Sequence, residues 1–206
     1  MKGSGGCRQA RRHAKGVLHS HDSIHALLAQ LGEHWLIEPG DRFLVPSPIA
    51  HIGGSIYAFE CPLLLGTTAV LMEQWDPAAA VGLMTAQRCT HMAGATPFLT
   101  GLLSAAERAG THLPDLKVFI CGGASVPPSL IRSATDYFDK AIVTRVYGST
   151  EVPVTTVGST RPGDTDHAAD AGQVRHGLLP FDSVLPDERH ESSAQRSHSD
   201  WRRELQ

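Results

Sequence analysis

Thr150 and Glu151 stand side by side in "YGSTE" (147–151), directly after an apolar run. Hard oxygen ligands of this kind suit a magnesium ion on phosphate, which takes one or two carboxylates and fills its remaining positions with phosphate and water. The same residues also read as a turn at an exposed strand end, since Gly148 and Ser149 are common turn formers. Upstream, "CGGAS" (121–125) pairs Gly122 with Gly123. The pair either turns the chain from strand to helix or removes side chains so that a flat ligand can approach the backbone. His51 precedes Gly53 and Gly54. Alone it reads as a satisfied, partly buried histidine; beside the glycines it reads as a group near a ligand.

These loops can act together only if the fold carries them to one place. Residues 41–47 read as a strand, 53–66 as a buried helix that Pro62 kinks or ends, and 67–73 as the next strand. Over 75–88 the sequence predicts a helix with Asp76 as N-cap and Pro77 in the first turn. Residues 89–95 form a strand, after which Thr96 and Pro97 repeat the cap-and-proline pattern before a helix stopped by Gly110. Two more strands, 116–123 and 141–148, flank a helix over 126–140 that prolines open. This alternation predicts an α/β fold: a mainly parallel sheet flanked by helices. In such sheets ligands collect beyond the carboxyl ends of the strands. Four loops qualify, at 46–54, 94–97, 121–125 and 147–151. No Gly-x-Gly-x-x-Gly turn follows a strand, which ranks an unrelated dinucleotide-binding dehydrogenase last.

Composition narrows the classes further. The chain has 206 residues, with Lys plus Arg 18 against Asp plus Glu 21 and a net charge of −3, so nothing points to a nucleic-acid polymer or a membrane surface. Cys7, Cys61, Cys89 and Cys121 are far apart and show neither metal-ligand spacing nor a disulfide framework, which leads to the expectation of a reducing, cytoplasmic setting. No apolar run is long enough to span a bilayer. Residues 1–14 form a basic leader and 171–206 a polar tail, both expected to be disordered, around a packed domain at 15–170. His176, His190 and His198 of the tail lack metal-ligand spacing. Oligomeric state is not written in the sequence.

In order and spacing, "KGVLHSH" (15–21), "PSPIAHIGG" (46–54), "ICGGASVPPSL" (120–130) and "YGSTE" resemble the landmarks of the adenylate-forming (AMP-binding) superfamily, in particular its acyl-CoA synthetases. The resemblance implies an internal part of the large N-terminal domain of such an enzyme. It also implies a two-step ligase: a carboxylic acid and ATP give an acyl-adenylate and pyrophosphate with the help of Mg²⁺, and coenzyme A then displaces AMP. By the same resemblance, Thr150 hydrogen-bonds phosphate, Glu151 coordinates Mg²⁺, and Tyr147 lies against adenine. Gly122, Gly123 and Ala124 line the adenine and acyl pocket, Gly148 and Ser149 adjoin the nucleotide, His51 lies near the acyl carboxylate, and Lys15 ends the phosphate loop.

Two departures accompany the resemblance. Residues 7–14, "CRQARRHA", do not match the family's glycine- and hydroxyl-rich phosphate loop, and 171–206 carry no counterpart of its later motifs. They set up an alternative expectation: a truncated or frame-shifted, non-catalytic remnant that at most binds AMP, ATP or an acyl ligand.

Overall fold

In a computed structural model the described residues are 17–169. The leader, Lys15 and the tail lie outside them.

Five short strands, β1 (Arg42–Val45), β2 (Thr68–Leu71), β3 (His91–Gly94), β4 (Val118–Cys121) and β5 (Ile142–Tyr147), pair in parallel. A sixth, β6 (Thr156–Val157), adds antiparallel to β5 and completes the order β2-β1-β3-β4-β5-β6. Both faces of the sheet are covered, so its strands read as apolar runs rather than strict alternation. On one side α4 (Pro77–Gln87), α5 (Thr96–Ala109), α6 (Pro128–Phe138) and α7 (Thr165–Ala169) pack around Leu44, Met92, Phe119 and Val143. On the other, α1 (His21–His34), α2 (Ile52–Ser55) and α3 (Cys61–Leu65) cover Phe43, Val45, Val118 and Ile120. Successive residues of one strand thus feed opposite cores, as the two-residue pleat requires.

Local chemistry accounts for most boundaries. Asp76 Oδ1 accepts the Ala79 N–H at 2.7 Å, and Gly110 ends α5 at a φ of 63°. Pro128 opens α6. Besides the added β6 and α7, three features differ from the sequence expectations. α1 is an added helix, capped by Ser20, which accepts the Ser23 N–H at 3.1 Å. Pro62 does not end its helix: a π-helical turn (Ile56–Glu60) joins α2 to α3, and the Cys61 N–H bonds Ile56 O five residues back. That wider turn makes room for a ring that would otherwise crowd the preceding carbonyls. Thr96 is not the cap of α5. Ala95 takes that position, and the Thr96 hydroxyl donates instead to the Ser125 carbonyl at 2.7 Å.

No described helix is long and apolar enough to cross a membrane.

Candidate functional site

The strand order reverses at β1, where β2 lies on one side and β3 on the other. Loops leaving adjacent strands in opposite directions open a crevice at the carboxyl edge. A cleft of about 450 Å³ occupies that edge, and all four expected loops reach it. Ser47, Pro48, His51 and Gly53 come from the β1 loop, Gly94 and Ala95 from the β3 loop, Gly122 and Gly123 from the β4 loop, and Gly148, Ser149 and Thr150 from the β5 loop. The walls are apolar: Ile52, Ile56, Tyr57, Ala93, Phe98, Ile120, Val146 and Val154. Among the described residues no Lys, Arg, Asp or Glu lines it.

His51 caps α2, its Nδ1 accepting the Gly53 N–H at 3.1 Å. A neutral imidazole bonded in this way carries its proton on Nε2. The Thr96–Ser125 bond ties the β3 loop to the β4 loop, so two walls of the cleft move together. The glycine pair splits into two roles. At Gly122 a Cβ would fall onto the Val146 side chain and, at 2.6 Å, its carbonyl oxygen, so the missing side chain serves the close approach of β5. Gly123 has a φ of 75° with open space beside it, which fits both a turn and an accessible backbone.

The β5 loop is braced from within. Ser149 N–H donates to Val152 O at 2.9 Å, Val152 N–H to Ser149 Oγ at 3.3 Å, and Thr155 N–H to Tyr147 O at 2.8 Å. Gly148 packs against the Pro153 carbonyl with no room for a Cβ. The Ser149 N–H is therefore taken within the loop. At the tip Glu151 is fully exposed, and the backbone N–H of its own residue and the Ser149 hydroxyl hold its carboxyl below the ordinary value. Glu151, Ala124 and Tyr147 stand outside the cleft lining; Tyr147 is 68% exposed.

No group of three His, Cys, Asp or Glu among the described residues is arranged to hold a metal ion. A magnesium ion carried mainly by phosphate and water needs only one carboxylate, and an ionised, exposed Glu151 that follows Thr150 in the chain fits that demand. The buried thiols are ill suited to nucleophilic chemistry. Burial pushes Cys61 up to about 12 and Cys89 and Cys121 to about 11.

A cluster of ionisable groups lies at the opposite edge of the sheet. Lys117 Nζ is 2.9 Å from Asp41 and 3.0 Å from Glu38, while buried His91 bonds the Trp35 carbonyl at 2.9 Å. Glu38 and Asp41 precede β1, Lys117 precedes β4 and His91 opens β3, so these groups sit at the amino ends of the strands, remote from the cleft in the topology, which makes them part of the framework.

Sequence reasoning located the loops but missed two kinds of residue. Ile120 and Val146 are strand residues whose place in the wall follows only from strand pairing. His19 lies within a quoted motif, yet its bond to Thr150 O, at 2.8 Å, spans 131 positions.

Known proteins share this framework. A family model described as "AMP-binding enzyme" matches residues 13–179. The medium-chain fatty-acid–CoA ligase of Escherichia coli is 36% identical over 141 residues, covering 66% of this chain and 24% of that protein. The crystal structure of the N-terminal domain of FACL13 from Mycobacterium tuberculosis superposes with a TM-score of 0.66 at 25% identity, covering 77% of this chain and 39% of that one. ATP-bound MatB from Rhodopseudomonas palustris superposes with a TM-score of 0.62 at 26% identity, covering 73% of this chain and 29% of that one. The chain thus spans about a quarter of the length of the curated E. coli relative.

Proposed function

Because the chain belongs to the AMP-binding enzyme family, we propose that it contributes to an acyl-CoA synthetase reaction, in which a carboxylic acid and ATP give an acyl-adenylate and coenzyme A then takes the acyl group. The observation that carries this reading is the convergence of four strand-end loops on one apolar cleft, with Thr150 in its lining and Glu151 next to it in the chain. Residues 15–170 are read as the adenylate-forming part.

Two anions must meet in such a reaction, so the site has to offset phosphate charge while holding the acid in line. The Thr150 hydroxyl donates to a phosphate oxygen, and the Gly122–Ala124 backbone and Tyr147 flank the adenine. Gly148 and the Ser149 hydroxyl adjoin the nucleotide. His51, with Nε2–H as its remaining donor, orients the acid's carboxylate. Glu151 holds Mg²⁺, which when bound draws charge from the phosphates and eases departure of pyrophosphate. The apolar walls exclude water and accept an uncharged acyl body; a second carboxylate would meet no cation among the described lining residues. Lys15 is assigned to phosphate by resemblance alone.

The test is pyrophosphate release by the purified chain with ATP, Mg²⁺ and a panel of carboxylic acids. Acid-dependent release that Glu151→Ala abolishes is expected, with apolar monocarboxylic acids favoured over dicarboxylic ones. Release insensitive to Glu151→Ala would defeat the assignment. ATP binding without release would confine this chain to nucleotide binding.

A further inference from the structure

The tip of the β5 loop has one hydrogen bond to the rest of the described protein. Within the loop, Ser149, Val152 and Thr155 satisfy one another, and none of these bonds reaches outside it. The exception is the Thr150 carbonyl, which lies 2.8 Å from Nε2 of His19, in the segment leading into α1. A carbonyl only accepts, so His19 must carry a proton on Nε2 and donate it. His19 also lowers the Glu151 carboxyl slightly by its proximity, behind the larger effects of the Glu151 N–H and the Ser149 hydroxyl. The ring itself lines a separate groove between the α1 entry and the π-helical turn, and it is not among the residues lining the cleft.

We propose that His19 is a positioning residue, whose Nε2–H fixes the loop tip so that Thr150, in the cleft wall, and Glu151, beside it in the chain, keep one placement relative to the cleft. This rests on the nucleotide reading above for its functional consequence, but the tether itself is a property of the unliganded chain. Without it, the two-residue tip is held only by the loop's own Ser149–Val152 bonds, above a base closed by the Thr155–Tyr147 bond. A loop that must be ordered on binding weakens binding by the cost of ordering it.

Two substitutions separate the hydrogen bond from the packing of the ring. His19→Gln keeps an N–H at nearly the reach of Nε2 and loses the ring; His19→Phe keeps the ring and loses the donor. The first readout is amide hydrogen exchange of Ser149 and Val152 without nucleotide, with Thr155 as the control at the loop base. About fivefold faster exchange at Ser149 and Val152 is expected in His19→Phe, on the scale of one net hydrogen bond, with little change in His19→Gln. The second readout is the MgATP dissociation constant, expected to rise about fivefold in His19→Phe and to stay near wild type in His19→Gln. Unchanged loop exchange in His19→Phe, or a loss confined to His19→Gln or shared equally by both variants, would overturn the proposal. If the wild-type chain binds no ATP, the nucleotide reading fails by that result, while the exchange comparison still decides the tether.

Discussion

His51 caps its own helix through Gly53: the ring Nδ1 accepts that residue's N–H at 3.1 Å at the lip of the cleft. One nitrogen is thus committed to structure and the other is left for a ligand. Replacing His51 by Asn separates these duties, because Asn is a favoured N-cap yet is too short to stand where Nε2 does. Stability of His51→Asn is expected within about 0.5 kcal/mol of wild type. Acid-dependent pyrophosphate release should fall about tenfold or more, as for loss of one positioned donor. Matching urea midpoints with unchanged release would remove His51 from the acid's site.

Glu151 offers the opposite case, a side chain with no part in packing. It is exposed and outside the cleft wall, so Glu151→Gln is expected to leave the thermal midpoint unchanged. The charge is what a magnesium ion requires. Titrating ATP at several Mg²⁺ concentrations should show the Mg²⁺-dependent gain in affinity of the wild type and little of it in Glu151→Gln. Equal gain in both proteins would take the metal role away from Glu151.

The alternation of strands and helices was legible because its punctuation is chemical and local: Asp76 before Pro77, Gly110 after a helix, Pro128 at the head of another. The loops of the site were legible for the same reason, as glycines, hydroxyls and a carboxylate at strand ends. α1 also carries a readable pattern, since Ile24, Leu27, Leu28, Leu31 and Trp35 recur at helical spacing behind Ser20. The π-helical turn has no such local mark beyond Pro62, and β6, with two residues, is too short to show a period. What could not be read were contacts set by strand register. Gly122 beside Val146 and His19 against Thr150 depend on which strands are neighbours, and local sequence does not encode that.

The register contact at Gly122 predicts unequal costs within one glycine pair. Gly122→Ala would place a methyl on Val146, between two paired strands that cannot separate without breaking the β4–β5 ladder. About 1–3 kcal/mol of destabilisation is expected there. Gly123→Ala meets no neighbour and strains only its backbone, at a φ of 75°, for about 1–2 kcal/mol. Urea denaturation of both variants should rank Gly122→Ala as the less stable, with nucleotide binding more impaired per unit of lost stability in Gly123→Ala. The reverse ranking would mean that β5 shifts to admit the methyl.

The framework cluster predicts how stability varies with pH. Burial lowers His91, outweighing the Trp35 carbonyl that favours its charged form. The unfolded chain takes up a proton near pH 6.5 that the folded ring resists, so this contribution is complete above about 6.5 and declines as pH falls below it. Burial alone would raise Asp41, but the Glu38 N–H and the Lys117 ammonium outweigh it and leave the carboxyl below its ordinary value. Its contribution is complete above the ordinary carboxylate range and is lost as pH falls toward the lowered value. Lys117 is raised, chiefly by its bond to Asp41, so its contribution holds below the ordinary lysine range and disappears as pH rises through the raised value. A plateau from about pH 7 to about pH 8.5 is expected, falling on the acid side through His91 and Asp41, and on the alkaline side first because the unfolded chain ionises the thiols that burial keeps protonated at Cys61, Cys89 and Cys121. His91→Phe should lower stability on the plateau by about 1–3 kcal/mol, since the Trp35 carbonyl loses its buried donor, and should flatten the decline between pH 7 and 5.5. Urea midpoints of both proteins across that interval measure the effect, and parallel declines would assign the acid sensitivity to other groups, with His34, also lowered by burial, as the next to replace.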